Sequence, residues 1–181
     1  LKKEDDIFAP IIQSTKRRSL WLGANLITAL LAAASIGIFE ATIEKVVTLA
    51  ILMPIVASMG GIAGMQSLAL VIRSQALDQI GSSNSRLLIY KEAAIGFLNG
   101  ILWSSVVAIL VYLWFDSIFL GFVIASALMI NLIIGAISGV SLPLVLSKLN
   151  IDPALAGGVI LTTITDVVGF ISLLGIATIM M

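Results

Sequence analysis

Five apolar runs follow one another along the chain, separated by short polar breaks. About 20 apolar residues suffice for a helix to cross a bilayer, and the pattern predicts spans at residues 20–39, 46–72, 93–114, 118–146 and 154–181. Between them, 40–45 reads as a short charged turn and 73–92 as a polar loop leading into the next helix. Asp116 marks a tight turn, and 147–153 a further one. Ahead of the spans, 1–19 is a polar to amphipathic lead-in ending in Lys16, Arg17 and Arg18. Ile7, Phe8, Ile11 and Ile12 outline a weak interfacial helix face that Pro10 interrupts. The expectation is an all-α membrane protein: a cytoplasmic connecting segment over 1–19, then a five-helix transmembrane domain over 20–181.

Composition agrees and narrows the chemistry. Of the 181 residues, 60% are hydrophobic and 11% charged, against about 25% charged in soluble domains. The chain has no Cys and no His, so disulfides, thiolate metal sites, the usual transition-metal ligands and the commonest general base are all missing. No phosphate-binding Gly-rich loop with Lys is present. Intramembrane proteolysis by paired acids needs two deep carboxylates, and only one lies deep in a span, so an enzyme is not expected. Zero net charge says little, because the charges are segregated. With the N-terminus cytoplasmic, Lys2, Lys3, Lys16, Arg17, Arg18, Arg73, Arg86, Lys91 and Lys148 fall inside and only Lys45 outside. The positive-inside rule therefore predicts N-in and C-out. The start shows no cleavable signal peptide and no initiator Met, which suggests the membrane domain of a longer protein. Five spans cannot be halved into two inverted repeats, so any symmetry must come from a second subunit.

The deep acid is Asp166, roughly 18 Å from Ala154 and roughly 22 Å from Met181 at ~1.5 Å per residue. An aspartate at mid-membrane costs about 2.5–3.5 kcal/mol on insertion scales and usually faces a bundle interior or a water-filled path. Thr162, Thr163 and Gly169 lie four before, three before and three after it, on the same helix face. Two hydroxyls, a carboxylate and a gap suit a hydrated cation. The alternative is structural: an Asp bonded to another helix, with threonines bonded to their own carbonyls. Glu92 and Asp152, near the cytoplasmic surface, read as solvated helix ends.

The second span carries Pro54 and then Gly60, Gly61 and Gly64, with Gln66 toward the cytoplasmic side. Pro54 removes a helix hydrogen bond, and freed backbone at membrane depth must be covered by protein or face water. The glycines serve either close helix packing or an unwound turn that exposes carbonyls. Hard oxygen donors without soft ligands point to Mg²⁺, Ca²⁺ or Na⁺. One Asp per chain is too little charge for a divalent ion, whereas a two-fold dimer supplies two. Mg²⁺ dehydrates reluctantly, so contact is expected largely through its waters.

These stretches resemble the membrane domain of the MgtE-type magnesium transporters. The likeness runs through Trp21-Leu22-x-x-Asn25-Leu26, then Pro54…Gly60-Gly61-x-Ala63-Gly64-x-Gln66 and Arg73. It continues in Lys91-Glu92…Gly96-x-x-Asn99-Gly100, Asn131, Leu142-Pro143, and Ile151-Asp152-Pro153-Ala154…Thr162-Thr163-x-x-Asp166-x-x-Gly169-Phe170. The resemblance implies a homodimer in a cell membrane, with a Mg²⁺ path at the subunit interface lined by the second and fifth spans. It implies Mg²⁺ as substrate and bound ion at Asp166. It also implies cytoplasmic Mg²⁺-sensing domains upstream, and no nucleic-acid partner is expected. Ile62 and Met65 depart from the pattern: the family usually has Asn after the paired glycines and a polar residue before Gln. Two other readings stay open, namely transport of another hard cation and a non-conducting dimeric scaffold.

Overall fold

A computed structural model describes residues 10–80 and 84–181, and the regular structure there is helical. The helices are α1 (Ile11–Gly37), α2 (Glu40–Lys45), α3 (Thr48–Ala76), α4 (Ser85–Phe115), α5 (Ile118–Lys148) and α6 (Pro153–Met180). All but α2 are long and apolar enough to cross a membrane, one for each predicted run. At 31 residues, α4 and α5 are about 46 Å long. That exceeds the ~30 Å hydrocarbon layer, so both have turns to spare beyond it.

The boundaries differ from the expected ones because a helix does not stop where its apolar run stops. Helix α1 begins at Ile11, so Lys16 and Arg18 belong to the same helix as the first span. Pro10 is its N-cap, where no intrahelical N–H is needed, and does not interrupt it. Of the expected interfacial face, Ile7 and Phe8 lie outside the described residues, while Ile11 and Ile12 are exposed. The charged turn at 40–45 is the helix α2, with Glu40 in its first turn and Lys45 in its last, each suited to the helix dipole. The polar stretch 73–92 shrinks to a connection of 77–84, of which 81–83 lie outside the described residues. Asp116 closes α4 in the left-handed conformation, φ 50°, and its N–H donates to Tyr112 O at 2.8 Å. Asp152 caps α6 by accepting from Ala154 N at 2.8 Å, ahead of Pro153 at the first helical position.

Helix α5 is the centre of the bundle and packs against α3, α4 and α6, while α1 packs against α6. Lipid offers no hydrophobic drive for helices to associate, so close backbone approach through small residues must do it. A Cβ on Gly135 of α5 would stand 2.6 Å from Gly60 O of α3. One on Gly64 would meet Leu161 of α6 at 2.8 Å, and one on Gly96 of α4 would meet Ala136 Cβ at 2.8 Å. An apolar cluster including Leu49, Leu52, Val56, Ile124, Leu173 and Leu174 fills the half of the bundle where α3 begins and α6 ends. In that half Thr42 of α2 and Thr178 of α6 share a hydrogen bond of 2.7 Å. Helix α3 is continuous through Pro54 and the glycines, which overturns the unwound turn and leaves close packing as their local role.

Gly135→Val should lower thermal stability in detergent by at least the ~3 kcal/mol at the top of the usual overpacking range, because the clash is with backbone. Gly23→Val, which has nothing within 4 Å of the added Cβ, should leave the unfolding midpoint nearly unchanged. Equal effects from the two would mean that the α3–α5 approach is looser than described.

Candidate functional site

Asp166 lies at the midpoint of the 28-residue helix α6. It is half-buried and has no hydrogen-bond or ion-pair partner among the described residues. The structural alternative therefore divides. The threonines do bond to their own helix: Thr162 Oγ1 donates to Gly158 O at 3.0 Å and Thr163 Oγ1 to Val159 O at 2.7 Å. The carboxylate, however, is bonded to no other helix among those described. Each back-bonded hydroxyl still has lone pairs for accepting from an ion's waters. Among the described residues no three His, Cys, Asp or Glu side chains gather into a metal centre.

Gly169 is placed differently from Thr162 and Thr163. It is buried, and its missing side chain is a notch filled by Asn131 of α5: a Cβ there would be 2.8 Å from Asn131 Nδ2 and 3.1 Å from Val56 Cγ1. Gly60 of α3 gives the same amide a second notch. Asn131 is fully buried and donates from Nδ2 to Val56 O at 2.8 Å, while its Oδ1 has no partner among the described residues. One amide thus wedges α3, α5 and α6 together within a turn of Asp166. Sequence reasoning noted Asn131 and gave it no role in the site. The available signal was spacing: Asn131, Gly135 and Gly139 recur at i, i+4 and i+8, along one packed face.

On α3 the candidate residues separate by face. Gly60 and Gly64 are buried in packing, and Gly61 looks toward Thr165 Oγ1, 3.7 Å from its Cβ position. Ile62 and Met65 are exposed, 56% and 43%, and Met65 lies 3.8 Å from the Cβ position of Gly158 on α6. Gln66 lines a cleft between α3 and α4 together with Ser67, Glu92 and Asn99. Glu92 is not a solvated helix end: it is 5% exposed and accepts a 2.7 Å hydrogen bond from Ser67 Oγ. The packing of α4 on α5 through Gly96 turns Glu92, one helical turn earlier, inward. Asp152 is exposed at its cap, as expected.

The family profile described as divalent cation transporter, MgtE, matches residues 53–176. The chain belongs to the MgtE family of divalent cation transporters. It is similar to the protein named magnesium transporter MgtE of Bacillus subtilis, 39% identical over 162 residues, covering 90% of this chain and 36% of that protein. The protein of the same name from Enterococcus faecalis is 29% identical over 170 residues, covering 94% of this chain and 38% of the relative. A third, from Thermus thermophilus, is 29% identical over 164 residues, covering 91% of this chain and 36% of the relative. The chain therefore spans little more than a third of these relatives' length. MgtE proteins are transporters and not enzymes, in line with what the missing His and Cys led us to expect. With its five apolar helices, this member is a multi-pass membrane protein.

The wedge carries a prediction. Asn131→Ala loses the bond to Val56 O and opens a void, for an expected cost of roughly 1–3 kcal/mol in thermal unfolding. Asn131→Asp should cost more, because a carboxylate cannot donate to that carbonyl. If both variants unfold with wild type, Asn131 is not the wedge.

Proposed function

We propose that the chain is the ion-conducting part of a homodimer that lets hydrated Mg²⁺ flow into the cell down its electrochemical gradient. The observation that carries this reading is Asp166, a carboxylate halfway along a membrane-length helix and left without a partner among the described residues. A buried charge is costly until it is compensated. Two copies across a two-fold axis offer two negative charges to one divalent ion, and that ion lets both stay ionised. Thr162 and Thr163 stand beside each carboxylate to accept from the ion's waters, with Ile62 and Met65 of α3 toward the path, whereas Gln66 lines the separate cleft between α3 and α4. Gly60, Gly61, Gly64 and Gly169 bring the path's helices close together. The names of the relatives, all magnesium transporters, support the choice of cargo.

The orientation is N-in and C-out, supported by the basic residues. Entry of two charges across ~100 mV is worth roughly 4.6 kcal/mol, enough without a nucleotide. The Mg²⁺-sensing domains implied by the family resemblance are cytoplasmic and upstream of α1. Ile62 and Met65 favour a second reading: a stripe of apolar side chains on α3 suits a narrower, drier path, a different hard cation such as Ca²⁺ or Na⁺, or a dimer that does not conduct.

In proteoliposomes, Asp166→Asn should reduce Mg²⁺ flux to background while the unfolding midpoint in Mg²⁺-free buffer and the dimer elution stay as in wild type. Full flux through a folded variant would remove Asp166 from the mechanism. Ile62→Asn should raise Mg²⁺ flux or its preference over Ca²⁺, and no change in either would place that position off the path.

A further inference from the structure

The cleft between α3 and α4 lies apart from Asp166, and no residue of α6 lines it. Along α5, Gly139 is set against Ser67, eight residues and so about 12 Å from Asn131, toward the end proposed as cytoplasmic. Across the cleft Ser67 Oγ donates to Glu92 Oε2. Glu92 makes no ion pair among the described residues. Its second oxygen has no partner there and is absent from the fully enclosed atoms, so it opens into the cleft. Gln66 and Asn99 stand at the rim, exposed and without partners among the described residues. Two free amides at membrane depth belong against protein or water, not lipid. A carboxylate this buried, with a hydroxyl as its one donor, lacks a counter-charge.

We propose that this cleft is a second cation site, taking a singly charged hard cation, Na⁺ in class, on the oxygens of Glu92, Ser67, Gln66 and Asn99. Charge count selects the valence: one carboxylate and three neutral donors balance one positive charge, and a divalent ion would leave an excess in a poorly solvated place. Volume selects the hydration. The cleft holds about 130 Å³, room for about four waters. An ion there must trade part of its shell for protein oxygens, which Mg²⁺ does reluctantly. The site thus complements the Mg²⁺ path proposed above, and it stands or falls separately from it.

The test is the unfolding midpoint of the purified chain with Na⁺ replaced by choline at constant ionic strength, and separately with Mg²⁺ added, since an ion that binds the folded state raises the midpoint. Na⁺ should raise it in wild type and in Asp166→Asn, and have no effect in Glu92→Gln, whose amide oxygen still accepts from Ser67. Mg²⁺ should keep its effect in Glu92→Gln and lose it in Asp166→Asn, so failure of the Mg²⁺ path shows in a different variant. If Glu92→Gln does not fold, the rim double variant Gln66→Leu with Asn99→Leu replaces it. That variant should weaken apparent Na⁺ affinity by about tenfold, the lower end of what losing a supporting contact costs a metal site. Absence of any Na⁺ shift overturns the proposal. So do a Na⁺ shift that survives in Glu92→Gln, an apparent Na⁺ affinity unchanged in the rim variant, and a Glu92-dependent shift given by Mg²⁺ and not by Na⁺.

Discussion

The close meeting of α3, α5 and α6 at Asn131 is the constraint on which the remaining geometry depends. Lipid does not squeeze helices together as water does, so contact has to come from shape and from hydrogen bonds. Gly60 and Gly169 supply two notches, and Asn131 fills both while bonding to Val56 O. Its other amide atom, Oδ1, is enclosed and unsatisfied among the described residues, at a cost on the order of 1–3 kcal/mol. A wedge of leucine would avoid that cost but would lose the hydrogen bond to Val56 O that ties α5 to α3. The wedge lies one turn from Asp166, so the same contact that joins the helices sets the height and direction of the acid.

From this level the bundle is asymmetric along its axis. On one side lies the apolar cluster of Leu49, Leu52, Ile124, Leu173 and their neighbours. On the other, the bundle opens into the cleft that holds Glu92 and Ser67. Polar groups are therefore concentrated at two depths, Asp166 with Asn131 and then Glu92 with Ser67. Burial of a charge is tolerated at each depth where an ion or water can compensate it.

Much of this was legible in the sequence, and the reason is energetic. Five apolar runs had to be five membrane-length helices, and a lone acid inside the last had to be noticed because its insertion is costly. Helix ends were less legible: α1, α3 and α4 continue into polar sequence, since hydropathy reports the edge of lipid and not the edge of a helix. Glu92 was misjudged because next to Lys91 and a polar stretch it looks solvated. Its packed face is visible only in the recurrence of Glu92, Gly96, Gly100 and Ser104, all buried, at intervals of four. The glycines of α3 were ambiguous for a different reason. Small residues are needed both for an exposed backbone and for a close crossing, and only the contacts of Gly60 and Gly64 with α5 and α6 decide between them.

The central claim is that Asp166, without a partner among the described residues, serves a hydrated divalent ion. The most direct measurement is tracer uptake by the wild-type chain in liposomes, with Mg²⁺, Ca²⁺ and Na⁺ supplied in turn at equal driving force. The account predicts that Mg²⁺ enters fastest. Uptake led by Na⁺, or no uptake of any of the three, would contradict it.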